Sequence, residues 1–167
     1  MKLLNPPSYS EEEWALYNPA YMAFLTYSFI RSYTEFERDS ISSNLLFLAI
    51  PFAASSAISK QLPRSTSTPI IKWINENQHI LVAIPSILES FSPLVISAVE
   101  FLIDNEFLSI DESGYVFLSN KSLPKGPTLF NQSPSMKEAL RASQFAGKWF
   151  SKSNSELTIF INFGVKP

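Results

Sequence analysis

The chain has 167 residues, enough for one domain with a substantial core, and its formal net charge of -2 gives no overall attraction to nucleic acid or an anionic lipid surface. It contains no Cys, which excludes disulfides, thiol nucleophiles and thiolate metal sites, and its 4 Gly form no glycine-rich loop of the kind that cradles phosphate. Only 17% of residues are charged, while 14 Phe, 6 Tyr and 3 Trp supply an aromatic load that suits either a Phe-rich core or an interface.

Residues 1–17 read as a lead, with the ordinarily solvated run Glu11-Glu12-Glu13 beside Trp14 and no apolar signal core. Asn18-Pro19 places a cap and a first-turn proline, which predicts a helix to about Glu37. That helix is apolar on nearly every side, so it belongs at the centre of the core or half covered by another chain. Ser42 to Lys60 reads as a second helix bent at Pro51. Its stretch Leu45 to Ala54 is the longest apolar run and falls short of the roughly 20 residues of a membrane span, so a cytoplasmic protein is expected. Thr68-Pro69 repeats the cap-then-proline pattern and predicts a third helix, closed by Asn75 to Gln78. His79 to Phe91 is a fourth helical piece, reset at Pro85.

From Ser92 to Asn120 the pattern becomes more specific. Ser92-Pro93 opens a helix with Leu94, Ala98, Phe101 and Leu102 on one face. It runs into Phe107-Leu108-Ser109-Ile110, the turn Asp111-Glu112-Ser113-Gly114, and Tyr115-Val116-Phe117-Leu118. A helix leading directly into a tight hairpin, with other helices upstream, is the layout of a winged helix. Such modules read DNA or bind proteins, and the charges separate the two. The helix carries Glu100 and Asp104 and no base, and the turn carries Asp111 and Glu112. A groove-reading helix and a phosphate-touching wing need Lys and Arg, so this one is suited to a protein partner.

Ser119 to Ser133, with Pro124, Gly126 and Pro127, is a surface loop. Ser135-Met136-Lys137-Glu138 fits a capping box for a helix to about Ser151, whose face Ala139, Ala142, Ser143, Ala146 and Gly147 is small enough to admit another helix closely. The tail predicts a short helix with Leu157, Phe160 and Ile161 as its buried stripe and Gly164 at its C-terminal turn. The expected class is mainly α with a small β-hairpin, a winged-helix-like helical domain. Its organisation is a single domain over 1–167: lead 1–17, helical core with hairpin 18–120, loop 121–134, and C-terminal helices 135–167.

Catalytic chemistry finds little support. His79 is the only His, so no second imidazole or thiolate shares a metal with it. Glu100 with Asp104, and Asp104 with Glu106, are the available carboxylate pairs, but no His, Lys or Arg stands beside them in sequence. No Gly-flanked nucleophilic Ser is present. No enzymatic activity, cofactor or metal is expected. The bases fall into two groups: Lys60, Arg64 and Lys72, and the series Lys137, Arg141, Lys148, Lys152 and Lys166. At helical spacing these read either as an ordinary polar face or as a docking strip for an acidic surface.

The order of motifs from residue 17 to 167 resembles a known family. Tyr17-Asn18-Pro19-Ala20 opens the aromatic helix and Phe29-Ile30-Arg31-Ser32-Tyr33 lies near its end. Leu45-Leu46-Phe47-Leu48-Ala49-Ile50-Pro51, Leu62-Pro63-Arg64-Ser65-Thr66, Gly147-Lys148-Trp149-Phe150 and Phe163-Gly164-Val165-Lys166-Pro167 follow. Together they resemble the middle component of bacterial three-component ABC systems, whose chains usually end in Gly-Val-Arg-Pro where this one has Lys166. The resemblance implies a non-catalytic adaptor between an SMC- or RecF-like ABC ATPase and a third component, in defence against phage or mobile DNA. Nucleic acid would be met only through the complex, with no membrane involved. The residues then expected at partner interfaces are Asn18, Pro19 and Arg64; Glu100, Asp104, Asp111 and Glu112; and Trp149, Phe160, Phe163, Gly164 and Pro167. A winged-helix DNA-binding regulator and a small hydrolase with a carboxylate site are the rival readings.

Overall fold

The computed structural model describes residues 18–166; the lead 1–17 and Pro167 lie outside the described residues. Helix α1, Pro19–Thr34, starts as expected: Asn18 Oδ1 accepts from the Ala20 amide at 2.8 Å and Pro19 occupies the first turn, where a missing amide costs nothing. Met22 through Ile30 are all buried. The reason is position. α1 pairs with α2 (Leu46–Ala54) in a middle layer, with α5 (Gln78–Asp104) on one side and α6 (Pro134–Ser151) on the other. An all-round apolar helix is the kind that a middle layer requires.

Between α1 and α2 the structure departs from the expected single helix over 42–60. Ile41–Ser42 form a short strand β1, and a 3₁₀ turn at Ser43–Leu45 leads into α2. Pro51 lies inside α2, and the chain breaks instead at Ser55, which turns extended before the four-residue α3 (Ser56–Ser59). Helix α4 is Ile70–Glu76. Thr68 does not cap it; its carbonyl instead accepts the Trp149 indole N–H at 2.7 Å.

The two expected pieces 79–91 and 92–104 are one helix, α5, running through Pro85 and Pro93. Both prolines are exposed, so each lost backbone bond leaves its carbonyl facing water rather than buried without a partner. By length and composition α5 is the one helix among the described residues apolar enough to cross a membrane, with a mean hydropathy of 1.8 in its most apolar window. It is seated on α1 and α2, and its buried stripe is Ile80, Ile84, Leu88, Val95, Ala98 and Leu102.

α5 ends in a Schellman turn: the Glu106 amide donates to Ile103 O and the Phe107 amide to Leu102 O, with Glu106 at φ 63. The hairpin follows as expected, β2 (Leu108–Ile110) and β3 (Tyr115–Leu118), paired antiparallel. Asp111 Oδ1 accepts the Ser113 and Tyr115 amides, each at 2.9 Å, and Gly114 takes φ 81 to close the turn. β1 adds to β3, with Ile41 opposite Val116, giving the antiparallel order β1–β3–β2. The result is a mainly helical protein carrying a small three-stranded sheet.

The cap of α6 is Ser133, whose hydroxyl accepts the Met136 amide, and not Ser135; Glu138 turns to Arg141 instead of reaching back to a cap. The small-residue face lies on α1. A Cβ on Gly147 would stand 2.3 Å from Phe29 O, and the buried Ser143 hydroxyl donates to Leu25 O. In α7 (Glu156–Asn162) the expected stripe is rotated: Ile159, Phe160 and Phe163 are buried, while Leu157 and Ile161 face water. The Phe163 ring packs, tilted, at 5.1 Å from that of Phe52 and 5.7 Å from that of Phe150, inside an aromatic cluster that includes Trp73 and Trp149. Gly164 at φ 66 forms a second Schellman turn, with the Val165 amide on Phe160 O. Glu156 ties the tail to the sheet, accepting the Ser42 amide at 2.9 Å and the Tyr33 hydroxyl at 3.3 Å.

Candidate functional site

The layering puts two outer helices of opposite charge on opposite sides. α5 carries Glu89, Glu100 and Asp104 and no Lys or Arg; α6 carries Lys137, Arg141 and Lys148 against Glu138 alone. Each face has its own chemistry.

On the α5 side, Glu100, Asp104, Glu106, Asp111 and Glu112 are all exposed. Interleaved with them, Ile96 is 49% exposed, Ile103 37% and Ile110 43%. Isoleucines held at the surface among carboxylates offer apolar contact with an acidic rim. Lys121, following the hairpin, is held down by Asn105 O at 2.9 Å and by the Phe107 ring. Asp111 has a structural duty as well, since its carboxylate organises the hairpin turn.

On the α6 side, the last turns of α1, the connector at 64–66, the loop at 125–126 and α6 enclose an open hollow of about 770 Å³. Arg31, Arg64, Lys125, Arg141 and Lys148 line it, with Glu35. A second hollow of about 530 Å³ shares Lys148 and adds Arg38 and Lys152, with Glu37. The two form one trough that holds seven of the chain's 13 Lys and Arg. Several are fixed from behind. Arg31 donates to the carbonyls of Leu123 and Pro124, Arg38 to those of Ser151 and Ser153, and Lys152 to Thr66 Oγ1. Lys125 pairs with Glu35 at 3.6 Å. Arg141 donates to both oxygens of Glu138 and thereby holds that carboxyl below its ordinary range. Arg64 is exposed and makes no such contact among the described residues. In the second hollow Phe36 stands 69% exposed, with the ammonium of Lys148, the residue both hollows share, 5.5 Å from its ring centre.

Of the residues expected at interfaces, the structure brings Arg64 into this trough and places Glu100, Asp104, Asp111 and Glu112 on the acidic side. Asn18 caps α1, with Pro19 in its first turn. Trp149, Phe160 and Phe163 lie inside the chain's own core, so they act on the fold from within, and Gly164 shapes the tail. Pro167 lies outside the described residues. The sequence showed Arg141 and Lys148 at helical spacing, but Arg31 joins them through the packing of α1 on α6, Phe36 and Arg38 through the segment that follows α1, and Lys125 through the loop that Arg31 and Gln144 hold.

His79 is exposed at the start of α5, and among the described residues no three His, Cys, Asp or Glu side chains cluster in a way that would hold a metal. Burial raises the Tyr21 phenol to about 12, and burial, then Glu156, raises that of Tyr33. The family model of middle component 3 of ABC-three component (ABC-3C) systems matches residues 8–167. No curated protein and no solved structure matches the chain.

Proposed function

This chain belongs to the middle component 3 family of ABC-three component systems, and from that premise we propose that it is the non-catalytic adaptor of its system. In this reading it works in the cytoplasm, joins an SMC- or RecF-like ABC ATPase to a third component, and serves defence against phage or other mobile DNA. The observation that carries the reading is the pair of outer faces: an acidic, isoleucine-studded α5 side and a basic α6 side, separated by the α1–α2 layer. A bridge needs two surfaces that do not compete for the same partner, and opposite charge suppresses docking in the wrong sense. A winged-helix-like reading of the centre is supported by the order helix, β1, helices, β2, turn, β3 and by the sheet order β1–β3–β2. The helix that would enter a DNA groove in that layout is α5, and it bears Glu89, Glu100 and Asp104 with no Lys or Arg, which favours a protein partner on that face.

The test is co-expression with the ATPase and third component of the same system. Glu100→Lys with Asp104→Lys should abolish retention of one partner, keep the other, and leave the melting temperature of the lone chain unchanged, since both side chains are exposed. Retention of both partners would remove the acidic face from the account.

A further inference from the structure

We propose that the basic trough on the α6 side binds single-stranded nucleic acid, with the phosphodiester backbone on its cations and unpaired bases stacked on Phe36. This goes beyond the adaptor reading, which needs a partner on the α6 side but not in this trough, and the trough is here given to nucleic acid, leaving the rest of that side, with Lys137, to the protein partner. The trough concentrates cations in a chain whose net charge is -2 and whose opposite side is acidic, so its attraction is local and directional. Ser32, Ser65, Thr66 and Gln144 line the same hollow and supply neutral partners for phosphate and sugar oxygens. Arg64 is exposed without a partner among the described residues. Glu35 and Glu138 restrain Lys125 and Arg141 in the free protein, and phosphate oxygens can replace both exposed carboxylates.

Phe36 decides between occupants. Its ring projects, 69% exposed, with a lysine ammonium against it, so ring and cation lie side by side as a base and its phosphate require. The other ring at the trough, Phe145, is only part-exposed and packs on Trp149 at 6.0 Å. A projecting aromatic within a basic channel is the stacking platform of single-strand binders. A duplex keeps its base faces covered, and α5 and the hairpin, which would read it, carry no Lys or Arg.

The full-length chain is titrated against a labelled oligothymidylate of about 16 nucleotides, by fluorescence anisotropy, across the range from about 50 to 200 mM salt. Binding should be micromolar at the low end and fall at least tenfold over that range. Arg64→Glu with Lys148→Glu should weaken it at least tenfold and flatten the salt dependence, at an unchanged melting temperature. Phe36→Ala should weaken binding about fivefold or more while leaving the salt slope in place, because stacking releases no counterions. Absent binding, equal binding by the Arg64→Glu/Lys148→Glu variant, or equal preference for a duplex of the same length would overturn the proposal. So would displacement of the oligonucleotide by a polyglutamate peptide at equal charge concentration, which would assign the trough to an acidic protein segment. Co-purification of the same variant with the ATPase component reports on the adaptor reading separately.

Discussion

Replacing Gly147 by Ala adds one methyl group at the closest approach of α1 and α6. The new Cβ would stand 2.3 Å from Phe29 O, 3.0 Å from Ser32 Cβ and 3.1 Å from the Phe29 carbonyl carbon. Two of these atoms are backbone in the middle of a buried helix, so no side chain can swing away. Relief requires α6 to withdraw by about 1 Å, and a gap of that size forfeits a quarter to a half of each dispersion contact along the seam. Overpacking of this kind costs about 1–3 kcal/mol. The same withdrawal stretches the buried bond from the Ser143 hydroxyl to Leu25 O, worth about 1 kcal/mol. Against this, Ala is better than Gly in a helix interior by about 0.5–1 kcal/mol. The net is a loss of about 2 kcal/mol, or a melting temperature lowered by about 4–8 °C. Urea denaturation should show a lower midpoint with an unchanged slope. Gly126→Ala, where an added Cβ meets nothing within 4 Å, is the control. If Gly147→Ala matches or exceeds the wild type in stability, propensity has won and the close packing of α1 on α6 is misjudged.

Three further outcomes follow from the same structure. Glu106 occupies the left-handed region at φ 63 in the turn after α5, so Glu106→Gly should stabilise by up to about 1 kcal/mol; a lower melting temperature would contradict this. Phe163→Ala empties the centre of the aromatic cluster and should cost about 3–5 kcal/mol in the lone chain, whereas a tail serving only as a docking peptide would leave the melt unchanged. Tyr21 is held neutral by burial up to about 12, while the unfolded chain releases that proton near 10. Its contribution is therefore complete below pH about 10 and is lost as pH rises through the folded value, so Tyr21→Phe should melt normally at neutral pH and lose less stability between about pH 9 and 11.5; an identical alkaline decline would remove Tyr21 as the cause.

Much of the scaffold is written locally. Asn18-Pro19 caps α1, Asp111 to Gly114 builds the hairpin turn, and the small face ending at Gly147 meets a helix backbone. What was not legible depends on distant partners. β1 is two residues long and exists because Ile41 and Ser42 meet Val116 and Tyr115, 75 and 73 positions away. Pro85 and Pro93 read as breaks, but both stand on the solvent side of α5, where the helix tolerates them. The tail stripe rotated from Leu157 and Ile161 to Ile159 and Phe163 because the core lies on that side. The Ser133 cap was available in the sequence, since Ser133-Pro134 repeats the Asn18-Pro19 pattern. The basic trough draws Arg31, Arg38, Arg64, Lys125 and Arg141 from four separate segments, and its convergence had no local signature.

The central claim is that this chain joins two other proteins. Its most direct test is to co-express all three components, capture the third component by a tag, and measure how much ATPase is retained with and without this chain. The account predicts a stoichiometric three-protein complex when the chain is present and loss of the ATPase when it is omitted. Equal retention of the ATPase in its absence would show that the other two meet directly, and would contradict the bridge.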